Sequence, residues 1–497
     1  MARVLFLDPR GWQGASEGQR PYPNVGIAYL AAALKRHGHE LRVLDLNNEP
    51  WSDDEAVALA LDYRPDVLAF SVKTATMRSA RALGVRLREA LPRAVVTLGG
   101  PHATLCWRDL VREAWLDFIF LGEGEQAFPE MCSRLLSGGS LADFGQVAGR
   151  GDGGRDLSAA CALEPDLDAL EFPDFSDFPL AVRSSLAMAY PLVTSRGCVF
   201  ACTYCSVPNV SGKRFRRRSS ESIVGELRRA RSHYAVRRFE LIDDAFNIDA
   251  RHAKNVCRAL ISSGLGLTWS CPNGIRVDLV DAELAALMRT SGCDTVMIGV
   301  ESAVPEILAS VKKGETLEDI RRGIRTLQTA GIEVGGYFII GLPGDSFAGA
   351  ERSVRFARDM GIAAHFNMLV PYPGTAIWDW VQRHGRFLVD IEDGMHHAGA
   401  DVRPRPVFDT PDFPAAERVR AYEMVHTRMG RFESLIPAGT GTWQWRRRKL
   451  ALIWRHDRVR LPRRLFAWAC DRCRRAVRLG PRGGAPPAPS GPAEPCP

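Results

Sequence analysis

Three cysteines stand within eight residues near the middle of the chain: Cys198, Cys202 and Cys205, at Cx3Cx2C spacing. Thiolates this close together can bind three irons of a [4Fe–4S] cluster and leave the fourth iron open. An open coordination position is where a metal site does chemistry, whereas a closed shell is structural. Because the apolar run 192–194 precedes the motif, the cysteines are expected on a loop that follows a buried strand.

Two other roles remain open for these cysteines. A tetrahedral zinc site needs a fourth Cys or His ligand at matching spacing, but His233 and Cys257 lie far along the chain. Ordinary buried thiols are the second alternative, although three within eight residues rarely coincide by chance. We therefore expect the cluster.

Length and composition indicate a multidomain globular protein. The chain has 497 residues, enough for two or three domains, and 46% of them are hydrophobic and 25% charged. Twelve cysteines would be unusual as disulfides at this size, so reduced and partly metal-binding cysteines are expected. The N-terminus runs directly into a strand pattern, and no apolar run approaches the ~18 residues of a membrane span, so we expect a cytoplasmic protein.

Strand and helix patterns alternate over the N-terminal domain, predicted to cover residues 1–140. Short apolar runs separated by amphipathic segments are typical of buried parallel strands and their connecting helices. Such alternation predicts a doubly wound, Rossmann-like α/β sheet that binds ligands at the carboxyl ends of its strands. The predicted strands are 4–7, 41–44, 67–70, 95–98 and 118–121, and the predicted helices are 27–36, 54–61, 77–90 and 125–136.

A second alternating region, residues 184–400, follows a linker at 141–183 that is rich in Gly, Asp and Pro. Six βα units of this size predict a partial, open β/α barrel with its chemistry at the carboxyl ends of the strands. The predicted strands are 190–194, 238–242, 267–271, 295–300, 334–340 and 365–370, and the predicted helices are 221–233, 251–262, 281–290, 317–330 and 346–360.

Taken together, these features resemble the cobalamin-dependent radical S-adenosylmethionine (SAM) enzymes. The cysteine motif is similar to the radical SAM signature, and segments 26–32, 38–40, 98–102 and 122–125 are similar to the family's cobalamin-binding domain. The resemblance implies three cofactors: a [4Fe–4S] cluster on Cys198, Cys202 and Cys205, SAM on its open iron, and cobalamin. It also implies a 5′-deoxyadenosyl radical and methyl transfer from methylcobalamin. This chemistry requires the strand ends of both domains to converge on one cavity.

The resemblance places cobalamin at the strand ends of the first domain. Paired glycines after a strand let the backbone approach a bulky ligand closely. The Asp-x-His-x-x-Gly motif of other cobalamin proteins is absent, so we expect bound cobalamin without a protein imidazole on cobalt. His102 is expected to be a helix cap or a contact to the nucleotide tail, and a sheet that binds no cofactor is the alternative. The implied contacts are Ser71, Gly99, Gly100, Pro101, His102, Gly122 and Glu123.

The strand ends of the second domain are expected to bind SAM. Asp243 or Asp244 suits the methionyl amine, although either could instead cap the following helix. Arg276 suits the methionyl carboxylate as a bidentate fork, and Glu301 resembles the family's ribose-binding carboxylate. The implied SAM contacts are Tyr204, Asp243, Asp244, Asn273, Arg276, Glu301, Ile340, Gly341 and Tyr372.

The family pattern fades in the C-terminal region. Residues 401–480 are predicted to form a helical cover with a basic tail, and 481–497 are predicted to be disordered. The net charge of +7 is concentrated in the tryptophan-containing stretch from Trp443 to Arg478. This stretch is expected to pack on the protein or to contact an anionic membrane surface, with RNA binding as the weakest alternative.

Four functions are compatible with these features. The first is methylation of an unactivated carbon in a small-molecule or lipid-like intermediate; the second is cyclisation, rearrangement or oxidation by a related enzyme. A tRNA methylthiotransferase is the third, but its second cluster would have only Cys106 and Cys132 in the N-terminal domain. A non-catalytic cobalamin sensor is the fourth. The implied partners are a small-molecule substrate and an external flavodoxin- or ferredoxin-like electron donor, and no nucleic acid is expected.

Overall fold

The computed structural model describes residues 1–11, 23–49, 51–139, 141, 144–149, 163–396 and 405–429. The predicted basic tail and the predicted disordered end lie outside the described residues. Among the described residues, no helix combines the length and the apolar character needed to span a membrane.

The first sheet has six strands in the order β2-β1-β3-β4-β5-β6, all parallel except β6, which runs antiparallel to β5 at the edge. Its strands are β1 Arg3–Asp8, β2 Glu40–Asp45, β3 Val67–Ser71, β4 Val95–Gly99, β5 Phe118–Phe120 and β6 Val147–Gly149. Its helices are α1 Val25–Arg36, α2 Asp53–Tyr63, α3 Met77–Ala90, α4 Pro101–Leu110 and α5 Ala127–Leu136.

The helices cover both faces of this sheet because side chains alternate along each strand. In β1, Val4 and Phe6 pack in the apolar cluster that contains α1 and α5. Leu5 and Leu7 pack in the cluster that contains α2, α3 and α4. Each fully buried side chain of this kind stabilises the fold by about 1.5–3 kcal/mol. The predicted doubly wound domain is confirmed. The sequence prediction missed α4, whose Pro101 occupies a favourable first helical position directly after the paired glycines, and the short edge strand β6.

The second sheet has six parallel strands that neighbour one another in chain order, so it forms the predicted open, partial barrel. Its strands are β7 Tyr190–Leu192, β10 Arg238–Leu241, β11 Thr268–Ile275, β12 Cys293–Glu301, β13 Glu333–Ile340 and β14 Ala363–Met368; two short ribbons pair β8 Ser195–Arg196 with β9 Arg216–Arg217 and β15 Arg386–Phe387 with β16 Phe408–Asp409.

Helices alternate with these strands and continue beyond them. They are α6 Leu180–Ser185, α7 Val207–Val210, α8 Ser220–Tyr234, α9 Ala250–Ser262, α10 Ala282–Thr290, α11 Pro305–Ser310, α12 Leu317–Thr329, α13 Phe347–Asp359, α14 Ala376–His384, α15 Ile391–His396 and α16 Ala415–Met429. The predicted helical cover is represented by α16, whose Ala421 and Val425 are buried. Asp249 caps α9 by accepting from the backbone N–H of His252, so neither Asp243 nor Asp244 caps this helix.

The described part of the predicted linker packs into the core. Phe175 is fully buried and its ring meets those of Phe178, Tyr190 and Tyr234 edge-on or tilted, at 5.4–5.9 Å between centroids. The backbone N–H of Asp174 donates to the carbonyl of Ala28 in α1. A segment expected to be a plain connector therefore joins the two domains through one continuous apolar cluster.

Buried ion pairs join the carboxyl edges of the two sheets. Arg216 of β9 donates from both terminal nitrogens to Glu123, which follows β5, at 2.7 Å each. Arg196 of β8 donates to Glu125 at 2.7 Å and lies over the ring of Tyr29 at 5.1 Å. Burial tends to raise the pKa of Glu123, but its pairs with Arg216 and Arg196 outweigh this effect and lower the pKa. The carboxylate is therefore charged when the domains are in contact.

We expect Arg216→Met to lower the free energy of unfolding by about 2 kcal/mol, because the Glu123 carboxylate loses both short hydrogen bonds and keeps only Arg196, at 3.3 Å, in a buried interface. Adding Glu123→Gln should restore part of this loss, since the poorly compensated charge is removed. The exposed neighbour Arg217 is the matched control, and Arg217→Met should cost less than about 1 kcal/mol. Urea unfolding followed by circular dichroism tests this; equal midpoints for the two arginine variants would contradict it.

Candidate active site

The three motif cysteines lie on the loop between β8 and α7, at the carboxyl end of the first barrel strand. Gly197 begins the loop with φ +84°, and a Cβ atom there would come within 2.3 Å of the Arg214 carbonyl oxygen. The N–H of Gly197 donates to Asp244, and the N–H of Cys198 donates to the carbonyl of Gly212. Only glycine fits this turn, which brings the segment after α7 against the cysteine loop.

The cysteines have the chemistry that an iron–sulfur cluster needs. All three are free and partly exposed. Burial raises the pKa of each thiol, to about 12 for Cys205, so the ligands carry protons until iron displaces them. In the described part of the chain, no three His, Cys, Asp or Glu side chains converge closely enough for a single metal ion. A cubane takes each thiolate on a different iron and needs no such convergence.

The carboxylate of Asp243 binds the residues just before the cysteine loop and does not face either cavity. It is 1% exposed and accepts from the N–H of Thr194 at 2.7 Å, from the Thr194 hydroxyl at 2.5 Å and from the Ser195 hydroxyl at 2.6 Å. Burial raises its pKa to about 6 despite these hydrogen bonds. Its predicted contact to the methionyl amine is corrected, because its oxygens are already committed to the protein. The neighbouring Asp244 does face a cavity.

A cavity of about 600 Å³, the interdomain cavity, lies between the strand ends of both domains. The predicted convergence of the two sets of strand ends is therefore confirmed. The first domain contributes the predicted residues Ser71, Gly100, Pro101, Gly122 and Glu123, and the second contributes Asp244 and Asn273.

Local geometry explains the glycine at this edge. Gly100 has φ +96°, and a Cβ atom there would lie 2.8 Å from the Val72 carbonyl oxygen. Its position brings bare backbone to the cavity wall, as the paired-glycine pattern predicts. Gly99, in contrast, lies behind the wall and does not line the interdomain cavity.

Two predicted cobalamin contacts, His102 and Glu123, have hydrogen-bond partners within the protein. His102 is 1% exposed, with Nδ1 3.1 Å from the Thr74 hydroxyl and Nε2 3.1 Å from Glu392. It is therefore neither a helix cap nor a cavity residue. Glu123 reaches the cavity wall, but Arg216 occupies both of its oxygens. The prediction for His102 failed because its partner Glu392 lies 290 residues away in the chain, whereas Glu123 stays a predicted contact at the cavity wall.

The sequence analysis missed several residues of the interdomain cavity. Lys73 lies in its wall and is exposed, and Asn24 donates to Asp8 at 3.2 Å and to Ser71 at 3.1 Å. Burial raises the pKa of Asp8 to about 6, although Lys73 and Asn24 oppose the shift. Asp8 therefore supports Asn24 and does not itself line the cavity. Asn24 precedes α1, and the sequence pattern did not indicate its place in the wall.

A second cavity of about 450 Å³, the barrel cavity, lies at the ends of the later barrel strands. Its walls include the predicted residues Tyr204, Glu301 and Tyr372, together with Met395 of α15 and Tyr422 of α16. Glu301 sits at a bulge in β12 with φ +63°, a strained conformation for a residue that carries a side chain. Such strain at the end of a barrel strand marks this carboxylate as a functional candidate.

A chain of buried ion pairs holds Glu301 in place. Its Oε1 accepts from the Tyr204 hydroxyl at 2.8 Å and from Lys313 at 3.1 Å. Lys313 also lies 3.3 Å from Glu315, which in turn lies 3.0 Å from Arg276. The network therefore connects a wall of the barrel cavity with the cysteine loop, since Tyr204 belongs to that loop.

Arg276 serves this network and is not a free carboxylate clamp. Its Nε and Nη2 both donate to Asp278 at 2.8 Å, and its guanidinium carbon lies 3.7 Å from the ring centroid of Phe200. The predicted role is corrected, because the bidentate fork is occupied. Asn273 lines the interdomain cavity and donates to the carbonyl of Ile242 at 2.7 Å.

The predicted SAM contacts Ile340 and Gly341, at the end of β13, also have backbone partners within the protein. The N–H of Gly341 donates to Asp345 at 2.8 Å, and the carbonyl of Ile340 accepts from the N–H of Leu369 at 2.9 Å. Their neighbours Phe338 and Ile339 line the barrel cavity instead. A one- or two-residue shift along the strand was beyond what the sequence pattern could resolve.

Helix α15 connects the barrel cavity with the first domain. Glu392 pairs with Arg81 at 2.7 Å as well as with His102, while Gly394 and Met395 line the barrel cavity. Burial tends to raise the pKa of Glu392, but His102 and Arg81 outweigh this and lower the pKa to about 2. Glu392 thus ties the helix to the first domain, while Gly394 and Met395, two and three residues later, form part of the wall of the barrel cavity.

Comparison with known proteins supports this architecture. Residues 16–131 match the B12 binding domain, and residues 192–357 match the radical SAM superfamily. The chain is 28% identical over 454 residues to cytidylyl-2-hydroxyethylphosphonate methyltransferase of Streptomyces wedmorensis, covering 79% of this chain and 84% of that protein. It is 28% identical over 385 residues to the anaerobic magnesium-protoporphyrin IX monomethyl ester cyclase of Rubrivivax gelatinosus, covering 75% and 68%.

The fold is shared with a solved structure. The radical SAM methyltransferase TsrM from Kitasatospora setae, determined with tryptophan substrate and a SAM analogue, superposes with a TM-score of 0.67 at 18% identity, over 78% of this chain and 79% of that chain. With its B12-binding domain followed by a radical SAM domain, the chain belongs to the cobalamin-dependent radical SAM enzymes.

Proposed function

We propose that this protein is a cobalamin-dependent radical SAM methyltransferase that methylates an unactivated carbon of a small-molecule or lipid-like intermediate. The observation that carries the proposal is the cavity shared by the strand ends of a B12-binding sheet and a radical SAM barrel, beside three free cysteines. When bound, the cluster and SAM supply a 5′-deoxyadenosyl radical, and methylcobalamin supplies the methyl group.

The residues of the chain hold and orient these groups. Cys198, Cys202 and Cys205 provide the thiolates. Asp244 commits one carboxylate oxygen to the loop, and the other, which has no partner among the described residues, suits a methionyl ammonium. Glu301 likewise uses Oε1 for Tyr204 and Lys313, which leaves Oε2 for the ribose hydroxyls. Apolar side chains such as Phe338, Ile339 and Leu369 in the wall of the barrel cavity would limit the access of water to a reacting carbon.

The other functions are less well supported. A cyclising or oxidising reaction remains the second candidate, because one relative is named a cyclase; analysis for a methylated product distinguishes the two. A methylthiotransferase would need a second cluster, but Cys106 and Cys132 lie in apolar clusters on opposite faces of the first sheet. A sensor would cleave no SAM. A cytoplasmic location, an external electron donor and a membrane contact of the tail belong to the proposal.

Replacing Cys198, Cys202 and Cys205 by Ala together should abolish both the cluster's visible absorption and SAM cleavage, because no thiolate ligands remain. Anaerobic reconstitution followed by chromatography of 5′-deoxyadenosine measures the loss. Cys106→Ala, a partly exposed thiol of the first domain, is the control and should keep wild-type iron content. Cleavage by the triple variant would refute the cluster assignment.

Filling the interdomain cavity should separate cobalamin binding from cluster binding. We expect Ser71→Phe to reduce cobalamin retained after desalting at least tenfold, because the ring occupies the cavity wall where Ser71 now lies. Iron per chain should stay unchanged. Ser71→Ala, which adds no volume, should retain cobalamin; equal retention by the Phe variant would contradict this placement.

Glu301→Gln should raise the Kd for SAM by about tenfold, because hydrogen bonds to a charged acceptor contribute about 1.5–3 kcal/mol each. Equilibrium dialysis against reconstituted protein measures it, with iron content as the check on folding. Glu318→Gln on the exposed start of α12 is the matched control. If both variants bind SAM equally well, Glu301 is not a SAM contact.

A further inference from the structure

The cysteine loop has an outer face that takes part in neither cavity. Val199 is 52% exposed, which is unusual for a large apolar side chain in this structure, and Ala201 beside it is also exposed. Neither residue lines the interdomain cavity or the barrel cavity. Both stand between cluster cysteines in the chain, so whatever touches them lies next to the cluster ligands. We call Val199, Ala201, Lys213 and Arg214 the outer loop face.

The rim of this face is positive. Lys213 and Arg214 are exposed, and their side chains have no hydrogen-bond or ion-pair partner among the described residues. They are held beside the cysteine loop because Gly212 accepts from the N–H of Cys198, and because Gly197 packs against the backbone of Arg214. The next exposed cation, Arg217, is neutralised by Asp249.

Two acidic groups that bond to Gly197 or to Arg196, at the start of the loop, face inwards. Asp244 accepts from Gly197 and lines the interdomain cavity, and Glu125 is paired with Arg196. Beneath the loop, Phe200 rests on the guanidinium of Arg276. Under the proposed function, cofactors and substrate occupy the two cavities on the inner side of the loop. The outer loop face is therefore the side from which another protein reaches the cysteines most directly.

We propose that the outer loop face is the docking surface for a small acidic one-electron carrier protein of the ferredoxin or flavodoxin class. An apolar centre with a charged rim is the usual anatomy of a protein interface. Complementary charge steers the encounter and sets its salt dependence. The proposal rests on the proposed function, since only a cluster that must be reduced needs such a partner.

The electron balance is simple for a ferredoxin. One electron leaves the reduced ferredoxin, which becomes oxidised, and enters the cluster held by Cys198, Cys202 and Cys205, whose net charge falls by one. No proton is transferred in this step. Each SAM cleaved reductively consumes one such electron, so the carrier must bind, deliver and leave. A small, charge-steered interface suits repeated short encounters better than a large apolar one.

The test is a charge reversal, Lys213→Glu with Arg214→Glu, in the reconstituted full-length protein. A reduced plant-type [2Fe–2S] ferredoxin, an acidic protein, serves as the probe. We expect its Kd, measured by biolayer interferometry at low salt, to rise at least tenfold. We also expect ferredoxin-driven SAM cleavage to slow by a similar factor. Cleavage driven by saturating dithionite should be unchanged, because a small reductant needs no docking surface.

The matched control carries the same charge change elsewhere: Arg228→Glu on α8 with Arg325→Glu on α12, both exposed and without a hydrogen-bond or ion-pair partner among the described residues. It should bind ferredoxin like the wild type. A second variant, Val199→Ser, keeps every charge and should weaken binding through the apolar centre alone. Equal ferredoxin affinity in the loop variants, the control and the wild type would overturn the docking surface. If the wild-type protein cleaves no SAM when dithionite is the reductant, the proposed function is overturned. The comparison of ferredoxin affinities would still decide whether the outer loop face is a docking surface.

Discussion

The paired contacts of Arg196 and Arg216 with the carboxylates after β5 fix the interface between the two described α/β domains. They bring the ligand-binding edge of one parallel sheet against that of another. Parallel strands place their functional loops at one edge, and a face-to-face arrangement of two such edges encloses a chamber that neither sheet forms alone. The interdomain cavity is therefore a property of the interface. The buried arginines are essential to it, because uncompensated carboxylates would drive the edges apart.

A second buried network has a comparable role inside the barrel. Lys313 and Arg276 connect the strained Glu301 with the underside of the cysteine loop. Strain of this kind persists only where the surroundings over-determine it. The ion pairs here supply that constraint and align a cavity carboxylate with the loop of metal ligands. The cluster loop and the wall of the barrel cavity are thus joined by one network of hydrogen bonds and ion pairs.

Sequence reasoning predicted the elements of the fold well and the roles of individual polar residues less well. Apolar runs such as that of β1 depend on local periodicity, which is visible in a single chain. Whether a carboxylate or imidazole faces a cavity depends on distant partners: Glu392 lies 290 residues from His102, and Arg216 lies 93 residues from Glu123. Residue type and strand-end position selected good candidates at Glu301 and Asp244, but could not reveal that Asp243 and Arg276 were already engaged.

Helix α15 connects the first domain with the barrel cavity. Glu392 forms ion pairs with Arg81 and His102 of the B12-binding domain, while Gly394 and Met395 line the barrel cavity. A ligand that displaces Met395 in the barrel cavity must also disturb the ion pairs that hold Glu392. A change in the pairing of Glu392 with His102 and Arg81 must in turn alter how such a ligand is accommodated. Thermodynamic linkage makes any such exchange symmetrical, because the ion pairs and the cavity wall belong to the same six-residue helix.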